Sequence, residues 1–275
     1  MTITVGAIII GDEILSGRRA DKHLSQLIAL LSARGLQLSW ARYLGDDPAR
    51  LTQALADALA TDDVVFSFGG IGATPDDHTR QCAAKALGQP LVLHPEAKAL
   101  ITQRMQETAA EQGIAFDPDA ADNVHRLNMG CFPESASIIP NPYNKIPGFS
   151  VRGPGGGAVH FVPGFPVMAW PMVEWVLDQS YSAHFAQSNW VERSVVVYGA
   201  IEAKLTPLML ELEATFEGVK IFSLPSVDHP VHGRHIELGV KGQATLVDAA
   251  YAHMIEGLEK LGAPVGPELV QTTGT

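Results

Sequence analysis

Residues 64–79 read Val-Val-Phe-Ser-Phe-Gly-Gly-Ile-Gly-Ala-Thr-Pro-Asp-Asp-His-Thr, an apolar run followed by a glycine-rich loop and two adjacent carboxylates. The apolar run is typical of a buried strand, and the residues after the loop predict the start of a helix over residues 77–87. The loop's small and hydroxyl residues are Gly69, Gly70, Gly72 and Thr74. Glycine lets a backbone approach an anion closely, and the N–H groups at a helix start face it. Because Asp76 and Asp77 add oxygen ligands that suit a divalent cation, the segment predicts a phosphorylated ligand bound through a metal.

Two more strand–helix units precede this segment. The continuous apolar run of residues 3–10 predicts a strand buried on both faces, and the helix after it ends at Gly35. Residues 36–44 predict a second strand, and Asp47-Pro48 predicts the N-cap and first residue of another helix. The repeated pattern predicts an α/β fold with a doubly wound, mostly parallel sheet and helices on both faces.

Polar residues follow each predicted strand, where ligands of such sheets bind. The first strand is followed by Gly11, Asp12 and Glu13, and the second by Asp46. Asp47 is explained as an N-cap, whereas Asp46 has no evident structural role. We therefore expect these residues to converge with the glycine loop. Ser16 could bind a phosphate or cap its loop, and the sequence leaves both interpretations open.

The remainder of the chain indicates a second, smaller module. Residues 95–127 read as an amphipathic helix, and short strands at 137–139 and 159–162 lie in a region rich in Pro and Gly. We assign the first domain to residues 1–180, a linker to 181–189, a small α+β module to 190–263 and a disordered tail to 264–275.

Two further segments could contact an anion. Lys145 lies in a Pro-rich loop and could supply a point charge to a phosphate, although exposed lysines are common on any surface. Pro163 and Gly164 open a helix whose N–H groups could face an anion, or they could only set the entry to a buried helix. His229, His232 and His235 are predicted not to converge, because their spacing crosses a turn into a strand.

Composition excludes several classes of function. Hydrophobic residues make up 46% and charged residues 18% of the 275 residues, and the net charge of −11 argues against nucleic-acid binding. Two cysteines without metal-ligand spacing indicate a reducing compartment. The N-terminal apolar run has no basic leader, and no stretch approaches the ~20 apolar residues of a membrane span, so we expect a cytoplasmic protein without a membrane partner.

Several motifs in fixed order resemble one family. They are Gly11-Asp-Glu-Ile-Leu-Ser-Gly17, Gly45-Asp-Asp47, the glycine loop, Pro133-Glu134, Ile139-Pro-Asn141, Pro147-Gly-Phe149 and Val162-Pro-Gly-Phe-Pro166. With these residues the chain resembles the molybdopterin-binding (molybdenum-cofactor-biosynthesis, MogA/MoaB-like) domain family, in its CinA-type branch. Residues 190–262 resemble the KH-like module that follows this domain, and we expect the C-terminal deamidase domain and its activity to be absent.

The resemblance implies a function and a set of roles. It implies binding of molybdopterin or a nucleotide diphosphate, and in the CinA-type branch metal-dependent pyrophosphate hydrolysis with ADP-ribose as the substrate. It matches Asp46 and Asp77 to functional acids and Asn141 to a ligand-binding motif. We expect Asp46, Asp76 and Asp77 to hold a divalent metal ion, which could be Mg, Mn, Co or Ni. The resemblance also implies a homo-oligomer, a dimer or trimer.

Two alternatives remain open. One is adenylyl transfer to molybdopterin, as the MogA-like branch implies, and the other is non-catalytic binding of a pterin or nucleotide. The chain departs from the CinA-type pattern near the expected ligand site, at His23, Ala73, residues 144–146 and Met168.

Overall fold

The protein divides into two compact units. The structure, a computed structural model, describes residues 3–185 and 190–272. One unit comprises residues 1–31 and 37–184, and the other comprises residues 32–36 and 185–275. Of the predicted linker, Ser182–His184 forms a 3-10 turn and residues 186–189 lie outside the described residues.

The first unit is built on a mostly parallel sheet. Its strands are β1 (Val5–Ile10), β2 (Leu38–Leu44), β3 (Val64–Phe68), β4 (Leu91–Leu93), β5 (Cys131–Pro133), β6 (Ser137–Ile139), β7 (Gly148–Arg152) and β8 (Ala158–Val162). One sheet has the order β2-β1-β3-β8-β7-β6, in which only β7 runs antiparallel to the other strands. The strands β4 and β5 pair separately. Every residue of β1, β3 and β8 is buried, as expected for central strands covered on both faces.

Helices cover both faces of this sheet. They are α1 (Asp12–Leu15), α2 (His23–Ser32), α3 (Pro48–Leu59), α4 (Thr79–Leu87), α5 (Pro95–Glu111), α6 (Ala121–Leu127) and α7 (Pro166–Ser180). Leu51 and Leu55 of α3 share a core with Ile8 of β1. His23 of α2 instead stacks on Phe68 of β3. The Phe68 side chain lies on the face of the sheet opposite to α3, because successive residues of a strand alternate between the two faces. The predicted α/β fold is confirmed.

Three predicted features of this unit are wrong in detail. The helix expected over residues 95–127 is two helices, because the chain turns at Gly113, which has a φ of 68°, and then passes Pro118. The helix expected from residue 77 begins at Thr79, because Asp77 is used in the preceding turn. The pairs β4–β5 and β6–β7 include strands that the sequence did not predict at residues 91–93, 131–133 and 148–152.

The second unit is a small α+β module. Its elements are β9 (Trp190–Tyr198), α8 (Glu202–Thr215), β10 (Lys220–His229), β11 (Gly233–Gln243), α9 (Ala244–Lys260) and β12 (Val265–Thr272). The strands form an antiparallel sheet in the order β10-β11-β9-β12, and α8 and α9 bury their apolar faces in its core. In the described ranges, no helix of either unit is long and apolar enough to cross a membrane.

The predicted disordered tail is wrong over most of its length. Residues 265–272 form β12, which pairs with β9 from Val265 opposite Val197 onward. Composition at a chain end suggested disorder, whereas the free edge of β9 offers the segment backbone hydrogen bonds. Residues 273–275 lie outside the described residues.

Candidate ligand-binding site

Parallel strands bring the predicted site residues to one edge of the first sheet. The strands β1, β2, β3 and β8 end there at Ile10, Leu44, Phe68 and Val162, and we call this edge the carboxyl edge. The loops after these strands carry Gly11–Ser16, Asp46, the glycine loop and Pro163-Gly164. A Cβ on Gly164 would lie 3.5 Å from the Cα of Gly69, so the last two loops are in contact.

Two hydrogen bonds join Asp12 and Asp46 across the loops that follow β1 and β2. The backbone N–H of Asp12 donates to Oδ2 of Asp46 at 3.0 Å, and the N–H of Asp46 donates to Oδ1 of Asp12 at 3.3 Å. Each carboxylate therefore holds the other residue's backbone. This pair fixes the α1 loop against the end of β2, and the predicted convergence of these two acids is observed.

Asp46 lies in a negative field. Partial burial raises its pKa, the N–H of Asp12 opposes that shift, and the nearby charges of Asp12, Glu13 and Asp76 raise the pKa further. Asp76 is itself exposed, and its pKa is lowered by hydrogen bonding from Thr74 and from its own backbone. Three neighbouring carboxylates thus act on Asp46, an arrangement that favours a cation or a proton there.

The glycine loop is fixed by tight backbone packing. Gly69 has a φ of 98°, and a Cβ there would lie 2.7 Å from the carbonyl oxygen of Ile10. The buried Thr79 closes the loop, since its N–H donates to the Gly70 carbonyl at 3.0 Å and its hydroxyl to the Gly69 carbonyl at 3.2 Å. The loop is therefore a defined turn between β3 and α4.

Asp77 faces its own loop. Its Oδ2 accepts the N–H of Thr74 at 2.8 Å and the hydroxyl of Thr74 at 2.6 Å. A Cβ on Gly72 would lie 2.6 Å from the same oxygen, so a larger residue there would displace the Asp77 carboxylate. In this structure Asp77 positions the loop, and its catalytic role stays a prediction.

Arg80 supports the glycine loop through hydrogen bonds to backbone carbonyls, and no pattern in the sequence predicted this role. Its guanidinium is 4% exposed and donates to the carbonyl oxygens of Gly72, at 2.7 Å, and of Asn128. Burial lowers its pKa, and the charge of Asp77 opposes that shift. A cavity of about 440 Å³ between Thr74, Asp77, Arg80 and His125 adjoins this loop. No local sequence pattern points to this role, because the partner Asn128 lies 48 residues further along the chain.

A second cavity lies on the other side of the carboxyl edge, around His23. It measures about 320 Å³ and is lined by apolar side chains with Glu13, Arg19 and Lys22. His23 is 6% exposed, and its Nε2 lies 3.0 Å from the carbonyl oxygen of Gly164. Burial lowers the pKa of His23, so Nε2 of the neutral ring carries the proton toward Gly164. We call this space the His23 cavity.

Asn141 and Lys145 are organised by the loop between β6 and β7. This loop lies at the carboxyl edge, because β7 runs antiparallel to β8 and β6 antiparallel to β7. Asn141 is buried and donates to Asn144 at 2.8 Å and to the Ile146 carbonyl at 2.9 Å. Lys145 has a φ of 64° and forms an ion pair with Glu107 of α5. Both side chains thus have partners within the protein, and their ligand roles stay predictions.

Pro163, Gly164 and Ser16 complete the predicted set. The Gly164 carbonyl accepts from His23, and α7 begins two residues later at Pro166. Ser16 is exposed at the end of α1, and its N–H donates to the Asp12 carbonyl at 2.8 Å. The structure thus places Gly164 in the lining of the His23 cavity and leaves both interpretations of the Ser16 hydroxyl open. The ligand role of Pro163 stays a prediction.

The three histidines of the second unit do converge, contrary to expectation. The ring centroids of His229, His232 and His235 lie 5.0–5.6 Å apart, because the turn between β10 and β11 folds them together. Across residues 3–185 and 190–272, however, no three His, Cys, Asp or Glu side chains form a group that could hold a metal ion. The same finding applies to Asp46, Asp76 and Asp77, which do not form a ready-made metal centre.

Comparison with known proteins defines the class. The family described as "Probable molybdopterin binding domain" matches residues 6–182, and the chain belongs to this family. A CinA-like protein of Syntrophotalea carbinolica is 30% identical over 206 residues, which is 74% of this chain and 47% of that protein. The crystal structure of CinA from Thermoplasma acidophilum aligns with a TM-score of 0.53 and 29% identity over 64% of this chain and 97% of that one. The chain is a CinA-type, MogA/MoaB-like member.

Relatives differ in length. A protein of Pyrobaculum calidifontis is 29% identical over 259 residues, covering 92% of this chain and 95% of its own length. The chain therefore spans nearly the whole of that relative and about half of the CinA-like protein.

Proposed function

We propose that the carboxyl edge binds a phosphorylated pterin or nucleotide and hydrolyses the pyrophosphate of an ADP-ribose-like dinucleotide. The observation that carries the proposal is that Asp46, joined to Asp12 by two hydrogen bonds, lies near the carboxylates of Asp12, Glu13 and Asp76 beside the glycine loop. In the reaction, the oxygen of water joins one phosphorus as the bridging P–O bond breaks, which releases AMP and ribose 5-phosphate. Asp46, with its raised pKa, accepts the proton from that water.

The lining of the His23 cavity favours a ligand with a flat ring. Its floor contains Ile10 and Phe68, and His23 stacks on Phe68 with ring centroids 4.6 Å apart. A flat pterin or purine ring suits such an apolar floor, and Arg19 and Lys22 supply positive charge for phosphates.

A divalent cation fits this edge only together with the ligand. Asp76 would hold it with phosphate oxygens while Asp46 serves as the base, as Mg²⁺ is usually held by one or two carboxylates and substrate phosphates. When bound, such a cation neutralises the charge on the phosphoryl oxygens. This role agrees with the negative field around Asp46 and with the lack of a three-ligand group among the described residues.

The test is an AMP-release assay with a matched pair of variants. The chain is incubated with ADP-ribose, FAD or NAD and with Mg²⁺, Mn²⁺, Co²⁺ or Ni²⁺, and AMP is measured by chromatography. Asp46→Asn should lower turnover by about 100-fold or more, the usual contribution of a proton-transfer group. Asp47→Asn removes the same charge one residue away but keeps the α3 cap, so it should change turnover less than about twofold.

Two results would contradict this assignment. Equal turnover in Asp46→Asn and the parent chain would remove Asp46 from the reaction. No AMP release from any dinucleotide, together with ligand-induced thermal stabilisation, would favour the second candidate, non-catalytic binding. The specific observation for that candidate is that Asp77 and Lys145 already have partners inside the protein.

A further inference from the structure

Three polar side chains lie in one row across the last strands of the first sheet. Ser137 of β6 pairs with Ser150 of β7, which pairs with His160 of β8. Directly opposed residues share a face of a sheet, so these side chains point the same way. They lie on the face away from α3, because Phe149 and Val151 occupy the core with that helix.

A hydrogen-bond chain runs through the row. His160 Nδ1 lies 2.7 Å from the Ser150 hydroxyl, and His160 Nε2 lies 2.7 Å from the Tyr181 hydroxyl. His160 is 4% exposed, and its burial lowers its pKa to about 3, with the nearby Arg152 charge acting in the same direction. Burial also raises the pKa of Tyr181 to about 12. At neutral pH the imidazole is therefore uncharged and the phenol keeps its proton.

This chain can direct a donor into the adjoining space. When Tyr181 donates to Nε2, the neutral ring carries its proton on Nδ1 and donates to Ser150. The hydroxyl proton of Ser150 is then available to a ligand oxygen. Hydrogen bonds in such a chain polarise one another, so an anion oxygen that accepts from Ser150 would favour this tautomer of His160.

The space beside Ser150 is a cavity of about 630 Å³ between α7 and strands β6–β8, which we call the α7 cavity. Arg152 and Trp175 also line it, and Trp175 is 39% exposed. The lining contains no Asp or Glu, and within the described ranges Arg152 has no carboxylate partner. In a chain with a net charge of −11, a cavity lined by an exposed guanidinium and by no acid among the described residues is electrostatically distinct.

We propose that the α7 cavity binds a small organic anion, a carboxylate or phosphate attached to an apolar ring. Its charged end lies against Arg152 and the Ser150 hydroxyl, because a guanidinium and a directed O–H together match carboxylate and phosphate oxygens. Its apolar part lies against Trp175, which offers a half-exposed ring.

The α7 cavity is separate from the carboxyl edge. Its α7 residues belong to the C-terminal half of that helix, whereas Pro163 and Gly164 precede its first residue. The helical rise of ~1.5 Å per residue puts Trp175–Ser180 roughly 13–21 Å along the helix from Pro166. It shares no lining residue with the His23 cavity.

The test is titration calorimetry of the whole chain with benzoate, phenyl phosphate and the neutral isostere benzyl alcohol. At least one anion should bind, at least tenfold more tightly than benzyl alcohol. Arg152→Gln should weaken that anion's binding by at least tenfold, and Ser150→Ala by about threefold or more. Lys98→Gln removes one exposed charge from α5 and should change affinity less than about twofold.

Three outcomes would overturn the proposal. They are no saturable binding of either anion, equal affinity for benzyl alcohol, and unchanged anion affinity in Arg152→Gln. AMP release by Arg152→Gln should equal that of the parent chain. A failure of this proposal would therefore leave the carboxyl-edge proposal untouched, and the converse also holds.

Discussion

Asp77 illustrates how one carboxylate can be structural at a place where sequence predicts chemistry. Its Oδ2 accepts two hydrogen bonds from Thr74 and lies where a Cβ on Gly72 would clash. An acceptor satisfied in this way shapes the loop that a ligand would meet. Replacing Asp77 with asparagine can separate two roles of this side chain. The amide oxygen of asparagine still accepts hydrogen bonds from Thr74, but it carries no charge and cannot act as a catalytic carboxylate.

We expect Asp77→Asn to bind ligand within about threefold of the parent chain and Asp77→Ala to bind at least tenfold more weakly. Asparagine keeps an oxygen for Thr74, whereas alanine removes two hydrogen bonds that each contribute about 0.5–1.5 kcal/mol to the order of the loop. The measurement is the rise in Tm that a dinucleotide produces. If both variants lose AMP release equally while binding is retained, Asp77 is a catalytic residue and not a positioning residue.

Gly69 should be the least replaceable residue of the glycine loop. Gly69→Ala combines a φ of 98° with a Cβ placed 2.7 Å from the Ile10 carbonyl oxygen. We expect a loss of about 1–3 kcal/mol or more in unfolding free energy, measured in urea. Gly156 is the matched control, because its φ is 94° and a Cβ there meets nothing within 4 Å. Equal losses in the two alanine variants would show that the contact with Ile10 costs nothing.

Residues with strong local signals were predicted well. Asp47 caps α3 as expected, since its side chain accepts the N–H of Arg50 at 2.7 Å. Arg80 and the His160–Tyr181 pair were missed, because their partners lie far away in the sequence and no local pattern encodes them. Whether such groups are buried depends on which strands become neighbours in the sheet. Composition and residue spacing do not predict that order of strands.

At the scale of elements, predictions succeeded where hydrophobic periodicity is strong. The strand at residues 64–68 has the predicted bounds, and α3 begins at Pro48 as predicted. The break between α5 and α6 and the short strands β4 and β5 escaped prediction, because three-residue strands carry almost no periodic signal. The segment that forms β12 was predicted to be disordered from its composition. It is ordered because it pairs with the edge of β9.

Deleting residues 265–275 should destabilise the second unit. The deletion exposes the edge of β9, where Val195 and Val197 are buried, and removes the ion pair between Arg193 and Glu268. We expect a loss of more than about 2 kcal/mol, since several backbone hydrogen bonds of about 0.5–1.5 kcal/mol disappear together. Hydrogen exchange of the β9 amides measures this.

The ion pair itself can be tested separately in the same strand. Glu268→Gln keeps β12 and removes only the charge, so it should cost less than about 1 kcal/mol. If the deletion leaves β9 exchange unchanged, the segment contributes nothing to the sheet, as the sequence-based expectation of a disordered tail would require.

At the scale of the whole molecule, the carboxyl edge concentrates negative charge in a chain that is already acidic. Asp12, Glu13 and Asp76 all act on Asp46, so folding places like charges together where a ligand's cation or a proton would relieve them. Functional sites commonly retain such unfavourable charges at the expense of stability. The second unit shows a different arrangement of charge. There, Asp248 and Glu268 each form an ion pair with Arg193.

Asp46→Asn should stabilise the protein at pH 7 while abolishing AMP release. The fold raises the Asp46 pKa, so the folded chain holds the proton more tightly than the unfolded chain. Stability therefore falls as pH rises from the unfolded value of about 3.9 through the folded pKa, and the loss persists above it. Asparagine keeps the acceptor for the Asp12 N–H without the charge, and we expect a gain of the order of 2 °C in Tm.

The pH dependence separates charge relief from other causes of that gain. Below about pH 3.9 the parent carboxyl is protonated in both states, so the Tm difference between Asp46→Asn and the parent chain should vanish. Asp47→Asn, which preserves the α3 cap, should change Tm little at either pH. A gain that is equal at pH 7 and at low pH, or a loss at pH 7, would mean that repulsion among these acids does not limit the stability of the fold.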